Sequence, residues 1–292
     1  MCSSSAGRDA ARSPLVARGV VLAVVFTVLA GLITWRISIT APYPETEVFA
    51  GVYYTALDVE AAGYPGRGMA HIARVDLTAP GVEVFVTPMD AHALRRGQQY
   101  RLRYTWQMAW QHDLAVAVNG TLFEPPPIGY WPYSTARGHH TAVSNGIVSH
   151  VNPSSWLLWF DDDQVPHLTD ERPVRPEVLD RAVWGIGGLV RELRDGAVHG
   201  RVQRSTETNR YTMVAINQEE MLFWMASFED VTRAAAAQIL ADRGARDGIV
   251  LDGGGSTTFY LARHTQPAPW GLRLGGMRPV ATHVGVRAQP VE

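Results

Sequence analysis

"IVLDGGGSTTFYLA", Ile249 to Ala262, joins an apolar run, an aspartate, three glycines, three hydroxyl residues and a second apolar run. Glycine inside a strand-like segment loses more backbone entropy on folding than any other residue and fills no core volume. A triplet there implies one of two things. It is a tight turn in which Asp252 caps its own backbone, or it lets backbone N–H groups approach the anionic oxygens of a ligand. In the second case Gly253, Gly254 and Gly255 line a pocket, and Ser256, Thr257 and Thr258 add hydroxyl donors. Partial desolvation would then lift the Asp252 carboxyl toward a useful acid/base range. Taken alone, the string favours the turn. It is not a nucleotide-type phosphate loop, which ends in Gly-Lys-Ser/Thr, because all 26 basic residues are arginine.

Working outward, a helix is expected over Phe228–Arg243, with Ser227 as N-cap, Asp230 completing a capping-box-like pair and Gly244 just past the end. A short buried strand, "DGIVLD", then leads to Asp252. The same order occurs earlier. Helical spacing over Tyr104–Asp113 precedes a buried strand, Leu114–Phe123, that contains Asn119-Gly120-Thr121. Other strands are expected over Gly51–Val59, His71–Leu77, Pro80–Pro88 and Thr282–Ala288, with hairpins turning at Asn145-Gly146 and Asn217–Glu220. Ala182–Leu193 is apolar, with glycines at 185, 187 and 188. Strands and helices mix without regular βαβ alternation. The expected fold is therefore α+β: a single domain over 51–292, with a mixed β-sheet core flanked by helices.

The remaining sequence bounds the function. Net charge is −2, so no basic face argues for nucleic acid. Without lysine there is no Schiff-base chemistry. Cys2 is the only cysteine, which removes internal disulfides and thiolate metal clusters. Gly19–Trp35 is an uncharged apolar run behind Arg8, Arg12 and Arg18. A cleaved signal and a signal anchor both fit; the anchor is preferred, since no small-x-small cleavage site follows. The expected organisation is a cytoplasmic tail (1–18), a transmembrane helix (19–36), a linker (37–50) and an extracytoplasmic domain, anchored to the membrane. Secretion after cleavage is the alternative.

Several segments together resemble the phosphodiester glycosidase family. "IVLDGGGSTTFYL" is similar to its signature, and "AVAVNGTLF" to its Asn-Gly-Gly-Phe-Phe motif. "RVDLTAPGVEVFVTP", "WGIGGLVREL", "TNRYTMVAI" and "RPVATHVGV" resemble further segments in the family order. The resemblance spans about Val52 to Val286 and reverses the preference for a bare turn. It implies hydrolysis of the bond between a sugar anomeric carbon and a phosphate. By the same resemblance Asp252 is the leading acid/base or nucleophile, and Asn119 orients substrate hydroxyls beside Gly120. Gly253, Gly254, Gly255, Ser256 and Thr257 line the pocket. Arg210 pairs with phosphate, with Arg278 as a second candidate for that role. Thr121 and Leu122 replace the motif's second glycine and first aromatic, which puts the local packing and the substrate range in question.

The expected partner is a carbohydrate or sugar-phosphate, with no cofactor and no metal. Glu124 and Glu207 are the nearest candidates for a second carboxylate, since glycoside cleavage usually draws on two. The insertion Glu124–Arg137 (EPPPIGYWPYSTAR) is either a lid that stacks on sugar rings or a proline-stiffened surface loop. His139-His140 and Asp161-Asp162-Asp163 read as ordinary polar segments rather than metal sites. A non-catalytic glycan-binding or exopolysaccharide-assembly protein on the same scaffold is the alternative function. A metal-dependent phosphoesterase is a third reading with no supporting ligand spacing.

Overall fold

Strands dominate because the apolar segments of this chain are short, rich in Val, Ile, Phe and Trp, and punctuated by glycine. In the computed structural model, which describes residues 44–127, 129–199, 202, 206–262, 272–276 and 278–291, the two longest strands are β15 (Thr208–Asn217) and β16 (Leu222–Thr232). Thr212–Asn217 and Phe223–Phe228 are buried throughout, so both faces of this hairpin are covered.

The hairpin sits at the centre of an eight-stranded sheet. The order is β1 (Thr46–Phe49), β2 (Val52–Asp58), β3 (Met69–Asp76), β16, β15, β17 (Asp247–Val250), β13 (Val190–Arg194) and β14 (Ala197–Val198). A second sheet, called the site sheet below, runs β19 (Leu272–Gly275), β18 (Thr258–Leu261), β6 (Val116–Asn119), β20 (His283–Arg287) and β4 (Glu83–Val86). A third runs β11 (Pro166–Leu168), β10 (Trp156–Phe160), β12 (Trp184–Gly188), β8 (Ala142–Ser144) and β9 (Ile147–Val148). The short strands β5 (Tyr100–Arg101) and β7 (Thr135–Ala136) pair separately.

One core joins the three larger sheets. Val75, Val214 and Met225 meet Val84, Val118, Val284 and Phe259 of the site sheet and Leu158, Phe160 and Ile186 of the third. The other face of the eight-stranded sheet packs Met213, Ala215 and Trp224 against Ala236, Ile239 and Leu240 of α4 (Arg233–Ala241). The remaining helices are α1 (Ala91–Leu94), α2 (Thr105–Gln111) and α3 (Pro176–Arg181).

This corrects the expected α+β fold. Among the described residues, twenty strands stand against four α-helices of at most nine residues. All the pairings within the four sheets are antiparallel, so the core is not a mixed sheet. The expected helix over Phe228–Arg243 shows why. Its first turn stays in β16, where Ser227 pairs with Thr212 and His71, and Phe228 with Tyr211 and Ala70. The helix starts only at Arg233, and Thr232 caps it by accepting the Ala235 N–H at 3.1 Å. Periodicity alone does not separate a short buried strand from a buried helical turn. Gly244 does follow the helix, at φ +92°, in the left-handed region that favours glycine.

The transmembrane helix expected over 19–36 falls outside the described residues, and among the described residues no helix is long and apolar enough to cross a membrane. Within the stretch read as linker, Thr46–Phe49 is a strand paired with β2.

Candidate functional site at a sheet crossing

The opening stretch is a crossing between sheets. β17 ends at Val250 in the eight-stranded sheet, and β18 begins at Thr258 in the site sheet. Between them the Leu251 N–H donates to Thr212 O at 2.8 Å, and the Asp252 N–H to Gly120 O at 3.0 Å. Gly254–Ser256 form one 3₁₀ turn. One of these carbonyls lies in β15 and the other directly follows β6, which fixes Asp252 at the seam.

Asn119 holds the seam from the other side. It is fully buried at the end of β6. Its Nδ2 donates to Asp252 O at 2.7 Å and to Gly120 O at 3.5 Å. Its Oδ1 accepts from Thr212 Oγ1 at 2.6 Å and from the Thr258 N–H at 3.0 Å. A side-chain amide offers two donors and one carbonyl acceptor, and here protein groups occupy them. Asn119, expected to orient substrate hydroxyls, is placed with its amide bonded to protein groups: it staples two sheets and holds the backbone of Asp252.

Asp252 is buried, and burial pushes its carboxyl above the usual carboxylate range. The Ser256 hydroxyl, the Gly253 N–H, Arg278 and His139 pull the other way, but burial outweighs them. Arg278 reaches the loop with Nη1 3.4 Å from Ser256 Oγ, and its guanidinium lies 4.1 Å over the Tyr130 ring. A Cβ built on Gly255 would stand 2.8 Å from Arg278 Nη2, so this glycine makes room for the arginine. Ser256 is fully buried, and the hydroxyls of Thr257 and Thr121 are buried without hydrogen-bond partners.

Arg210 arrives differently. It lies opposite a bulge, facing Glu229 and Asp230 between the pairs Asn209–Val231 and Tyr211–Phe228. Its carbonyl packs against the loop, 2.8 Å from where a Cβ on Gly253 would sit. The residue itself is exposed. The structure thus gathers Asp252, the glycines, Ser256, Thr257 and Arg278. It brings the backbone of Arg210 to the same edge. Glu124 and Glu207 are both exposed, and none of the described contacts joins either to Asp252.

A sequence comparison matches residues 112–287 to the phosphodiester glycosidase family. The chain belongs to this family. The matched stretch carries every candidate residue above, whereas the family resemblance of the opening strands lies ahead of it. No curated protein matches the sequence. Among solved structures, the phosphodiester glycosidase family chain is similar to the zebrafish N-acetylglucosamine-1-phosphodiester alpha-N-acetylglucosaminidase catalytic domain auto-inhibited by pro-peptide. The TM-score is 0.56 at 17% identity, over 85% of each chain. A hypothetical protein from Synechocystis gives 0.50 at 13% identity, over 85% of this chain and 64% of that one. At such identities the likeness is one of fold.

Tyr130 and His139 did not stand out as site residues in the sequence. The signal was the aromatic insertion itself, since Tyr130 lies within it, edge-on to Phe123 and beneath Arg278. His140 turns inward, with Nδ1 3.0 Å from Ser155 Oγ, and Asp161 binds His167. Among the described residues no three His, Cys, Asp or Glu side chains cluster closely enough to hold a metal ion.

Proposed function

We propose that this family member hydrolyses sugar-1-phosphodiesters, cleaving the bond between the anomeric carbon and the phosphate oxygen, with Asp252 as general base. The observation that carries this reading is a buried carboxyl of raised proton affinity, beside an arginine, on a glycine loop that is open at Gly254 among the described residues. A carboxylate of raised pKa is a better base than an exposed one. Asp252 takes a proton from water as the water oxygen adds to the anomeric carbon. The carbon–oxygen bond breaks, and a phosphomonoester departs. Arg278 meets the charge on the phosphate through its planar fork. Phosphate is already a weak base, so its departure asks little of a general acid, consistent with a single buried carboxylate at the loop.

Asp252→Asn keeps the shape and removes the base. It is expected to lower release of sugar from a sugar-1-phosphodiester by ~10³-fold, with an unchanged thermal melt. Turnover equal to the unsubstituted protein sinks the assignment. A second reading, glycan binding without catalysis, is favoured by one observation: Thr121 stands where the family motif has glycine, and its hydroxyl is buried and unpartnered. Calorimetric sugar binding with no hydrolysis across a phosphodiester panel would select it.

A further inference from the structure

A cavity of about 220 Å³, which shares no lining residue with the glycine loop, lies between the end of β4, the start of α1, β5 and the end of α2. Its lining includes Thr87, Asp90, Arg101, Arg103, Gln111 and His112, none of them part of the loop that holds Asp252. Donors outnumber acceptors there. Among the described residues Asp90 is the only carboxylate in the lining, and its Oδ1 is already taken by the His92 and Ala93 N–H groups at 2.9 and 3.0 Å. Its Oδ2 stands 3.2 Å from Arg101 Nε, off hydrogen-bonding line, and 4.0 Å from Arg103 Nη2.

Arg103 is the more telling of the two arginines. Its side chain is 14% exposed. Its Nε donates to Gln111 Oε1 at 3.3 Å, yet its Nη1 is buried with no partner. A buried donor left unmade is costly, more so on a charged group. Two guanidinium groups against one carboxylate leave a net charge of +1 at the cavity, since arginine does not deprotonate in proteins. The Arg103 guanidinium also lies over the Tyr133 ring, its carbon 5.0 Å from the ring centre.

We propose that this cavity is a second anion site, taking a tetrahedral oxyanion of the phosphate or sulfate class on Arg101 and Arg103. The planar forks of two arginines suit such an ion. Gln111 supplies a further polar group at the wall, while the Thr87 hydroxyl is engaged by His283. The site is separate from the glycine loop and does not depend on the catalytic reading.

The test is calorimetric titration of the whole chain with inorganic phosphate, using sulfate as a second arm. Arg103→Gln is expected to weaken one binding event at least about tenfold, and Arg278→Gln to leave that event in place. Equal phosphate binding by the Arg103→Gln protein, or loss only in the Arg278→Gln protein, overturns the proposal. Should Arg103→Gln fail to fold, Arg101→Gln serves instead, because Arg101 is 31% exposed. In the unsubstituted protein, phosphate is expected to shift the ring resonances of His112; resonances unmoved at saturating phosphate also overturn it.

Discussion

Trp184–Arg194 and Asp247–Leu261 both carry the chain between sheets on glycine, the first from the third sheet into the eight-stranded one, the second onward into the site sheet. At the first crossing backbone fills the space. A Cβ on Gly187 would stand 2.5 Å from Thr141 O, and one on Gly188 2.5 Å from Val250 O. At the second, Gly254 has nothing among the described residues within 4 Å of its Cβ position, and the nearest atoms to a Cβ on Gly255 belong to the end of Arg278. Each crossing also has a buried carboxyl with raised proton affinity. Glu192 is fully buried and held by Arg233, with burial pushing it up to about 7. Asp252 is answered by groups at the edge of an open loop. Glycine thus serves close packing in one place and access in the other.

Four substitutions separate these roles. Gly188→Ala drives a methyl into a backbone carbonyl that cannot step aside. It is expected to cost about 3 kcal/mol in a urea melt; a cost near zero would erase the contrast. Asn119→Ala strands the Thr212 hydroxyl and the Thr258 N–H. A loss of about 2 kcal/mol is expected, together with loss of turnover at unchanged sugar affinity. A selective rise in KM would instead return Asn119 to the substrate.

Glu192 makes a prediction about pH. The folded chain keeps its proton up to about pH 7, whereas the unfolded chain releases it near pH 4.3. Its contribution to stability is therefore largest in acid and is lost as pH rises through the folded value. His140, lowered to about 4, and His283, lowered to about 3, act in the opposite sense, costing stability as pH falls below about 6.5. Between pH 5 and 6, Glu192→Gln is expected to steepen the acid loss by about 1.4 kcal/mol per pH unit. Urea melts at the two values measure it, and an unchanged slope removes Glu192 from the balance. The smallest stability effect is expected for Gly255→Ala, under about 1 kcal/mol, because a flexible guanidinium can yield. Its turnover falls about tenfold as Arg278 is displaced; full activity would show that Arg278 is dispensable.

Much of this was legible in the chain. The Asp-Gly-Gly-Gly-Ser turn and the Asn145-Gly146 hairpin stand where the sequence indicated, because turn chemistry is local, whereas the strand expected over Leu114–Phe123 ends at Asn119. The antiparallel arrangement of the four sheets was not legible, because strand direction depends on partners far along the chain. Nor was the function of Asn119. The family resemblance implied a substrate contact for it, and only the fold shows that Thr212 and Thr258 bond its carbonyl. The start of α4 was misplaced for a related reason: the tertiary pairing of Ser227 and Phe228 overrode a plausible capping pattern.

The staple at Asn119 also has a consequence for the history of each molecule. Its partners lie 93, 133 and 139 positions further along the chain. Contacts of such long range form slowly, because loop closure must be achieved before they give any return. No short fragment of this protein contains the makings of the loop's geometry. During synthesis, Asn119 leaves the ribosome 93 residues ahead of Thr212 and 133 ahead of Asp252, so the staple waits for both.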